Sequence, residues 1–157
     1  MNQRIALFAG SFDPFTIGHY DIVERGLILF DKVVIAIGIN DLKKSMFSID
    51  ERKRQLTDLY VNESRVEVIT YTGLTADIAQ KTGATALLRG IRSGADYEYE
   101  RSLADTNHML CGIETVLLFT DQKLSHISSH TVRELLSYGR DVTPLLPPGM
   151  LLMPRKP

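Results

Sequence analysis

An α/β fold, a doubly wound five-stranded parallel sheet, is what the sequence predicts, and three observations predict it. Short runs rich in Val, Ile and Leu are apolar on both faces rather than alternating, as strands covered on both sides must be. Between them lie segments whose apolar residues recur at helical spacing. This strand–helix alternation repeats five times between Arg4 and Gly139, and right-handed crossovers wind such a chain into a sheet with helices on both faces. The expected strand order is 3-2-1-4-5, a Rossmann-like arrangement.

The elements follow in order. "RIALFA" (Arg4–Ala9) is the first buried strand. From Gly18 to Phe30 the apolar residues Ile22, Val23, Leu27 and Phe30 keep helical spacing. "KVVIAIGI" (Lys32–Ile39) is β-branched and short, a second strand. "SIDERKRQLTDLY" opens with Ser48 and Glu51, a capping box, and reads as a helix. Its triplet Arg52-Lys53-Arg54 reads as the exposed side of that helix. "RVEVITY" (Arg65–Tyr71) is the third strand. "TADIAQKTG" is a short helix with Thr75 as cap and Gly83 as stop. "TALLRG" is the fourth strand, ending near Arg89. Asp96–Leu110 is a longer helix, in which Tyr97 and Tyr99 read as packing residues. "ETVLLFT" (Glu114–Thr120) is the fifth strand, and "SSHTVRELLSYG" is a helix opened by serines and closed by Gly139.

Size and charge narrow the function. At 157 residues the chain suits one domain, 1–157, with about 149–157 as a Pro-rich tail. A net charge of −1 gives no global field for nucleic acid. The apolar runs are too short to span a bilayer, and the N-terminal residues lack a signal-peptide pattern. A single cysteine, Cys111, allows no internal disulfide. The expectation is a cytoplasmic protein with neither membrane nor nucleic acid as partner.

In a doubly wound sheet the ligand lies beyond the carboxyl ends of the strands, where the winding reverses. The segments placed there are Gly10-Ser11 with His19, Lys43-Lys44, Thr72–Thr75, "RGIR" (Arg89–Arg92) and "KLSHISSH" (Lys123–His130). Polar and cationic groups converge on one rim, as a ligand of several negative charges requires. Neither GxGxxG nor GxxxxGK[ST] is present, which argues against a dinucleotide oxidoreductase and a P-loop enzyme. His19 stands at a helix start, where free N–H groups and the dipole favour an anion. A phosphate there would receive amides and imidazole together, with Gly18 and Gly10 allowing close approach. The dipole lowers the His19 pKa and a bound polyphosphate raises it, so its direction stays open at this point.

"GSFDPFTIGH" and "ISSHTVRE", in that order, resemble the two signatures of the nucleotidylyltransferase superfamily. "KKSMFSIDERKRQL", "LLRGIRSGADYEYERSLADTNHML" and the length are similar to the bacterial phosphopantetheine adenylyltransferases, up to about Pro148. The resemblance implies transfer of the adenylyl group of ATP to 4′-phosphopantetheine, giving dephospho-coenzyme A and pyrophosphate. It implies His19, Lys43 and Arg92 as catalytic residues. It places Gly10, Ser11, Phe12, His19, Gly90, Ile91, Arg92, Glu100 and the run Leu124, Ser125, His126, Ile127, Ser128, Ser129 and His130 on ATP. It places Ser11, Lys43, Leu74, Thr75, Arg89 and Asn107 on the pantetheine substrate. It further implies Mg²⁺ as cofactor, held mainly by ATP oxygens and water, no protein-built metal site, and a homohexamer, a dimer of trimers. Two departures stand out. His130 occupies a position where the family has Ser or Thr, and Asp41-Leu42 replaces a Pro-Ser-like pair, so Lys43 or Lys44 is the functional lysine, with register favouring Lys43.

The attacking phosphate is already ionised at neutral pH, so this chemistry needs neither a general base nor a protein nucleophile. The obstacle is repulsion between two anions, which positioning and electrostatics must overcome. Two rival functions fit the same pattern: a nucleotidylyltransferase for CTP or nicotinamide mononucleotide, and a non-catalytic ATP-binding module. The segments between the two signatures argue against the first rival. The concentration of cations around one phosphate argues against the second. His126 and His130 stand four apart without an acidic partner at metal-site spacing.

Overall fold

The computed structural model describes residues 3–40, 42 and 44–152. Its elements alternate as β1 (Ile5–Gly10), α1 (Ile17–Leu29), β2 (Lys32–Gly38), α2 (Ile49–Leu59), β3 (Val66–Tyr71), α3 (Thr75–Lys81), β4 (Ala86–Ile91), α4 (Gly94–Cys111), β5 (Glu114–Phe119) and α5 (Ser129–Ser137). The five strands are parallel and run in the order β3-β2-β1-β4-β5, as the sequence predicts.

Successive residues of a strand point to opposite faces, and β1 shows the consequence. Ala6 and Phe8 belong to one buried cluster with Ile22, Val23, Leu27, Leu56, Leu88 and Val132, beneath α1, α2 and α5. Leu7 and Ala9 belong to another with Val34, Ala36, Ala79 and Leu87, on the face that α3 covers. Each fully buried Leu or Ile contributes about 1.5–3 kcal/mol. The C-terminal segment joins the first cluster through Val142, Leu146 and Met150, so the chain wraps the body at least as far as Met150.

Strand limits shift by about one residue, and three helix starts differ from the sequence reading, each for a local reason. The first helix starts at Ile17, because Thr16 caps it and His19 at the third helical position completes a capping box. The fourth starts at Gly94 with Ser93 as cap, two residues before Asp96, whose N–H the Ser93 hydroxyl accepts. Thr75 is not the cap of α3. Leu74 holds that position, and the Thr75 hydroxyl lies 3.1 Å from that of Tyr71. Gly83 and Gly139 follow their helices with φ of 66° and 69°, the left-handed stop expected of them.

Two burial expectations fail. Arg52 is 5 % exposed, so it lies on the inner face of α2 beside Leu56, one turn on, rather than with the exposed Lys53 and Arg54. Tyr97 and Tyr99 are 41 % and 65 % exposed and are not packing residues within this chain.

The registers explain where the sheet opens. Strand β1 pairs with β2 over its whole length, from Ile5↔Lys32 to Gly10↔Ile37. With β4 it pairs only at Ala6↔Ala86 and Leu7↔Leu87. Beyond Leu7 the two strands part, at the point where the winding direction reverses.

Candidate active site

A cavity of about 270 Å³ lies in that opening. Its lining includes Gly10, Ser11, Phe12 and His19 from the first loop, Arg89, Gly90 and Arg92 from the end of β4, and Ile127, Ser128 and Ser129 before α5. Two helices begin at this wall: Thr16 and Gly18 line it at the start of α1, and Ser128 and Ser129 at the start of α5. Each helix start carries unpaired N–H groups and the positive end of a dipole.

His19 is oriented by its own capping box. The Thr16 N–H donates to His19 Nδ1 at 3.0 Å, which makes Nδ1 an acceptor and leaves the proton of the neutral ring on Nε2. Phe8, Phe12 and Phe15 surround the imidazole with ring centroids 6.1, 5.2 and 5.3 Å away. Burial among these rings, with the charges of Arg89 and Arg92 beside it, lowers the His19 pKa from 6.5 to about 4. The ring is therefore neutral near pH 7, with an Nε2–H available to an anion in the cavity.

The two arginines are held differently. Arg89 Nε and Nη2 grip both carboxylate oxygens of Glu100 at 2.8 and 2.7 Å, and its Nη1 donates to the Ala9 carbonyl across the parted strands. Glu100 is 6 % exposed and Arg89 half-buried, so this is a bidentate pair anchored on a buried carboxylate. Arg92 is looser. It donates to Asp96 Oδ2 at 3.2 Å and to the Ile127 carbonyl at 3.2 Å, and its side chain is 40 % exposed.

Side chains of the second sequence signature lock onto the backbone of the first. Arg133 Nη1 donates to the Asp13 carbonyl at 2.7 Å, and Ser129 Oγ donates to the Pro14 carbonyl at 2.8 Å. The Asp13 carboxylate accepts from Met46 N and Phe47 N, both at 2.8 Å. Ser128 caps α5, accepting from Thr131 N at 3.1 Å. The hydroxyls of both serines are thus engaged in building the wall.

Other residues expected at the site lie around the cavity rather than on its wall. Thr75, Asn107 and Glu100 line a separate small cavity of about 20 Å³ that shares Ala9 and Arg89 with the first. Leu74 is 56 % exposed beside it. Ile91 is buried at the end of β4. Leu124, Ser125 and His126 form the turn before Ile127, with Ser125, His126 and His130 exposed. Lys43 lies outside the described residues, and Lys44 is exposed. The sequence reading missed Thr120, which lines the cavity at the end of β5, and the supporting pair Asp13 and Arg133. Both of the latter stand inside the two signature stretches, so that signal was present.

Residues 7–135 match the cytidylyltransferase-like family. A protein of Porphyromonas gingivalis named phosphopantetheine adenylyltransferase is 60 % identical over 152 residues, 97 % of this chain and 99 % of that protein. One of the same name from Flavobacterium johnsoniae is 51 % identical over 145 residues, 92 % and 95 % of the two chains. A crystal structure from Vibrio parahaemolyticus, described as a candidate nicotinate-nucleotide adenylyltransferase, superposes with a TM-score of 0.65 at 20 % identity. It spans 95 % of this chain and 96 % of its own, and shares the fold.

Proposed function

The chain belongs to the phosphopantetheine adenylyltransferases, within the cytidylyltransferase-like family, and from that premise we propose how its cavity carries out the reaction. The enzyme transfers the adenylyl group of ATP to 4′-phosphopantetheine and releases pyrophosphate, a step of coenzyme A biosynthesis. A phosphate oxygen of the acceptor attacks the α-phosphorus of ATP. A new P–O bond forms in line with the bond to the β-phosphate oxygen, which breaks and leaves with its electron pair on pyrophosphate.

The observation that carries this reading is the convergence of His19, Arg89, Arg92 and two helix starts on one cavity, with no carboxylate among the described residues that line it. Its cationic side chains and free helix-start amides suit a polyanion. In the roles proposed, the amides at Gly18 and Ser129 receive phosphate oxygens, and His19 Nε2–H donates to the oxygen on which charge builds. Arg92 answers the charge of the departing pyrophosphate. Arg89 faces the acceptor, since it also borders the cavity of Thr75 and Asn107. Lys43 is assigned to bridge the reacting phosphates. Removing one donor aimed at the transition state costs roughly 10²–10³ in rate.

Mg²⁺ is proposed as a companion of the ATP. Among the described residues no three His, Cys, Asp or Glu side chains group as a metal cage. The carboxylates beside the cavity's two arginines, Glu100 and Asp96, are engaged by Arg89 and Arg92. When bound, the ion neutralises charge on the β- and γ-phosphates. A cytoplasmic location and a hexameric assembly belong to the same proposal. Among the described residues no helix is long and apolar enough to cross a membrane.

Pyrophosphate release decides the function. ATP or CTP is offered with 4′-phosphopantetheine or nicotinamide mononucleotide, and turnover is expected only with ATP and 4′-phosphopantetheine. Turnover with another pair, or nucleotide binding without turnover, overturns the assignment.

A further inference from the structure

Arg52 is a cation on the inner face of α2, 5 % exposed, and it does not line the cavity. Its guanidinium makes no ion pair to a carboxylate among the described residues. Instead Nη1 donates to the Ser11 carbonyl at 2.6 Å and Nε donates to the Phe47 carbonyl at 3.1 Å. Burying a charge to serve two backbone carbonyls is costly, and helix α2 could fill that place with a Leu or Met at less expense. The arrangement needs a reason other than stability.

The reason lies in the peptide it grips. Only the Asp13–Pro14 bond is cis among the described residues, so the Ser11–Phe12 peptide is trans, and its N–H points opposite to its C=O. Holding the Ser11 carbonyl toward Arg52, away from the cavity, turns the Phe12 N–H toward the cavity that Ser11 and Phe12 both line. Phe12 has φ 47°, a conformation that non-glycine residues rarely adopt and that recurs where successive amides cradle an anion. It is 3 % exposed, and its N–H donates to no acceptor among the described residues. A buried amide without a protein partner calls for one from the ligand. The same guanidinium ties this loop to the Phe47 carbonyl, next to the Met46 and Phe47 amides that Asp13 holds.

We infer that Arg52 is a positioning residue for the adenylyl transfer: it fixes the Ser11–Phe12 peptide so that the Phe12 amide joins His19 as a donor to the phosphates. This rests on the reaction proposed above. Arg52 touches neither substrate and acts through Ser11 and Phe12.

The test measures pyrophosphate release from ATP and 4′-phosphopantetheine by the full chain. Wild type, Arg52→Gln, Arg52→Lys and Leu56→Ala are compared below the lowest of their melting temperatures. Arg52→Gln is expected to lose roughly 10–100-fold in kcat, with KM for ATP within about threefold, because a misplaced donor weakens the transition state most. Arg52→Lys keeps a charge that serves one carbonyl at a time, and its kcat is expected between those of Arg52→Gln and wild type. Leu56→Ala, on the same inner face, is expected to melt lower yet keep kcat within about twofold, which separates loss of stability from loss of position. A wild-type kcat in Arg52→Gln overturns the inference. So does a loss confined to KM, or an equal loss in Leu56→Ala. Should Arg52→Gln not fold, Arg52→Lys decides alone, and a kcat equal to wild type overturns the inference. An inactive wild type would instead sink the assigned reaction.

Discussion

His19 ties the cavity to pH in a way that can be measured without any substrate. Its pKa falls from 6.5 to about 4 in the folded chain, through burial first and then through Arg89 and Arg92. The unfolded chain therefore binds the extra proton between these two values. Stability attached to the neutral ring is fully present above 6.5 and is lost as pH falls toward 4. At ~1.4 kcal/mol per pH unit the complete effect is about 3 kcal/mol, of which about 2 kcal/mol disappears between pH 7 and pH 5. The control is His19→Gln, which cannot titrate but retains the capping box with Thr16, since Gln serves at that helical position. Urea denaturation at pH 7 and pH 5 is run on both proteins. Wild type is expected to lose about 2 kcal/mol more than His19→Gln over that interval. Equal losses would refute the neutral imidazole, and with it the Nε2–H donor assigned to the reaction.

Three further outcomes follow from the same geometry. His19→Ala is expected to lower kcat by roughly 10²–10³ while KM for ATP changes little, by steady-state pyrophosphate release. Glu100→Ala leaves the Arg89 guanidinium without the carboxylate that grips it at 2.7 and 2.8 Å, and thermal unfolding should show a loss of about 1–3 kcal/mol, since Arg89 keeps the Ala9 carbonyl and partial contact with solvent. Gly26→Val is expected to destabilise by about 1–3 kcal/mol in urea melts. A Cβ at Gly26 would meet Leu88 Cδ2 at 2.6 Å, and Leu88 is fully buried under α1.

The fold was legible because its strands declare themselves. Val33 to Ile37 has no polar residue, so a strand buried on both faces was the natural reading. The Ser48–Glu51 capping box marked the start of α2 correctly. The site was legible in outline, since Gly10, His19, Arg89, Arg92 and Ser129 were predicted to meet from sequence-distant segments and do share one cavity. What escaped were residues whose character contradicts their place. Arg52 sits in a charged triplet, and composition sends all three to solvent. Only its spacing of four from Leu56 hints that it turns inward. Tyr97 and Tyr99 escaped for the opposite reason: aromatic side chains on a helix read as packing residues, and these two stand exposed.

The location of the cavity follows from a conflict the sheet has to resolve. A parallel ladder continued past Leu7 and Leu87 would pair the backbone of Ala9 and Gly10 with β4 and close the opening. The chain stops the ladder there and needs another donor for the Ala9 carbonyl, because a buried carbonyl left alone costs free energy. Arg89 supplies it from the neighbouring strand, and Glu100 holds Arg89 in that place. Glycine at 90 keeps the floor low, since a Cβ there would meet Ile22 at 3.0 Å. The same arginine that repairs the broken ladder thus supplies positive charge at its edge. The positive charge at this point is a consequence of how the sheet ends, and a change at Glu100 should disturb the sheet and the candidate site together.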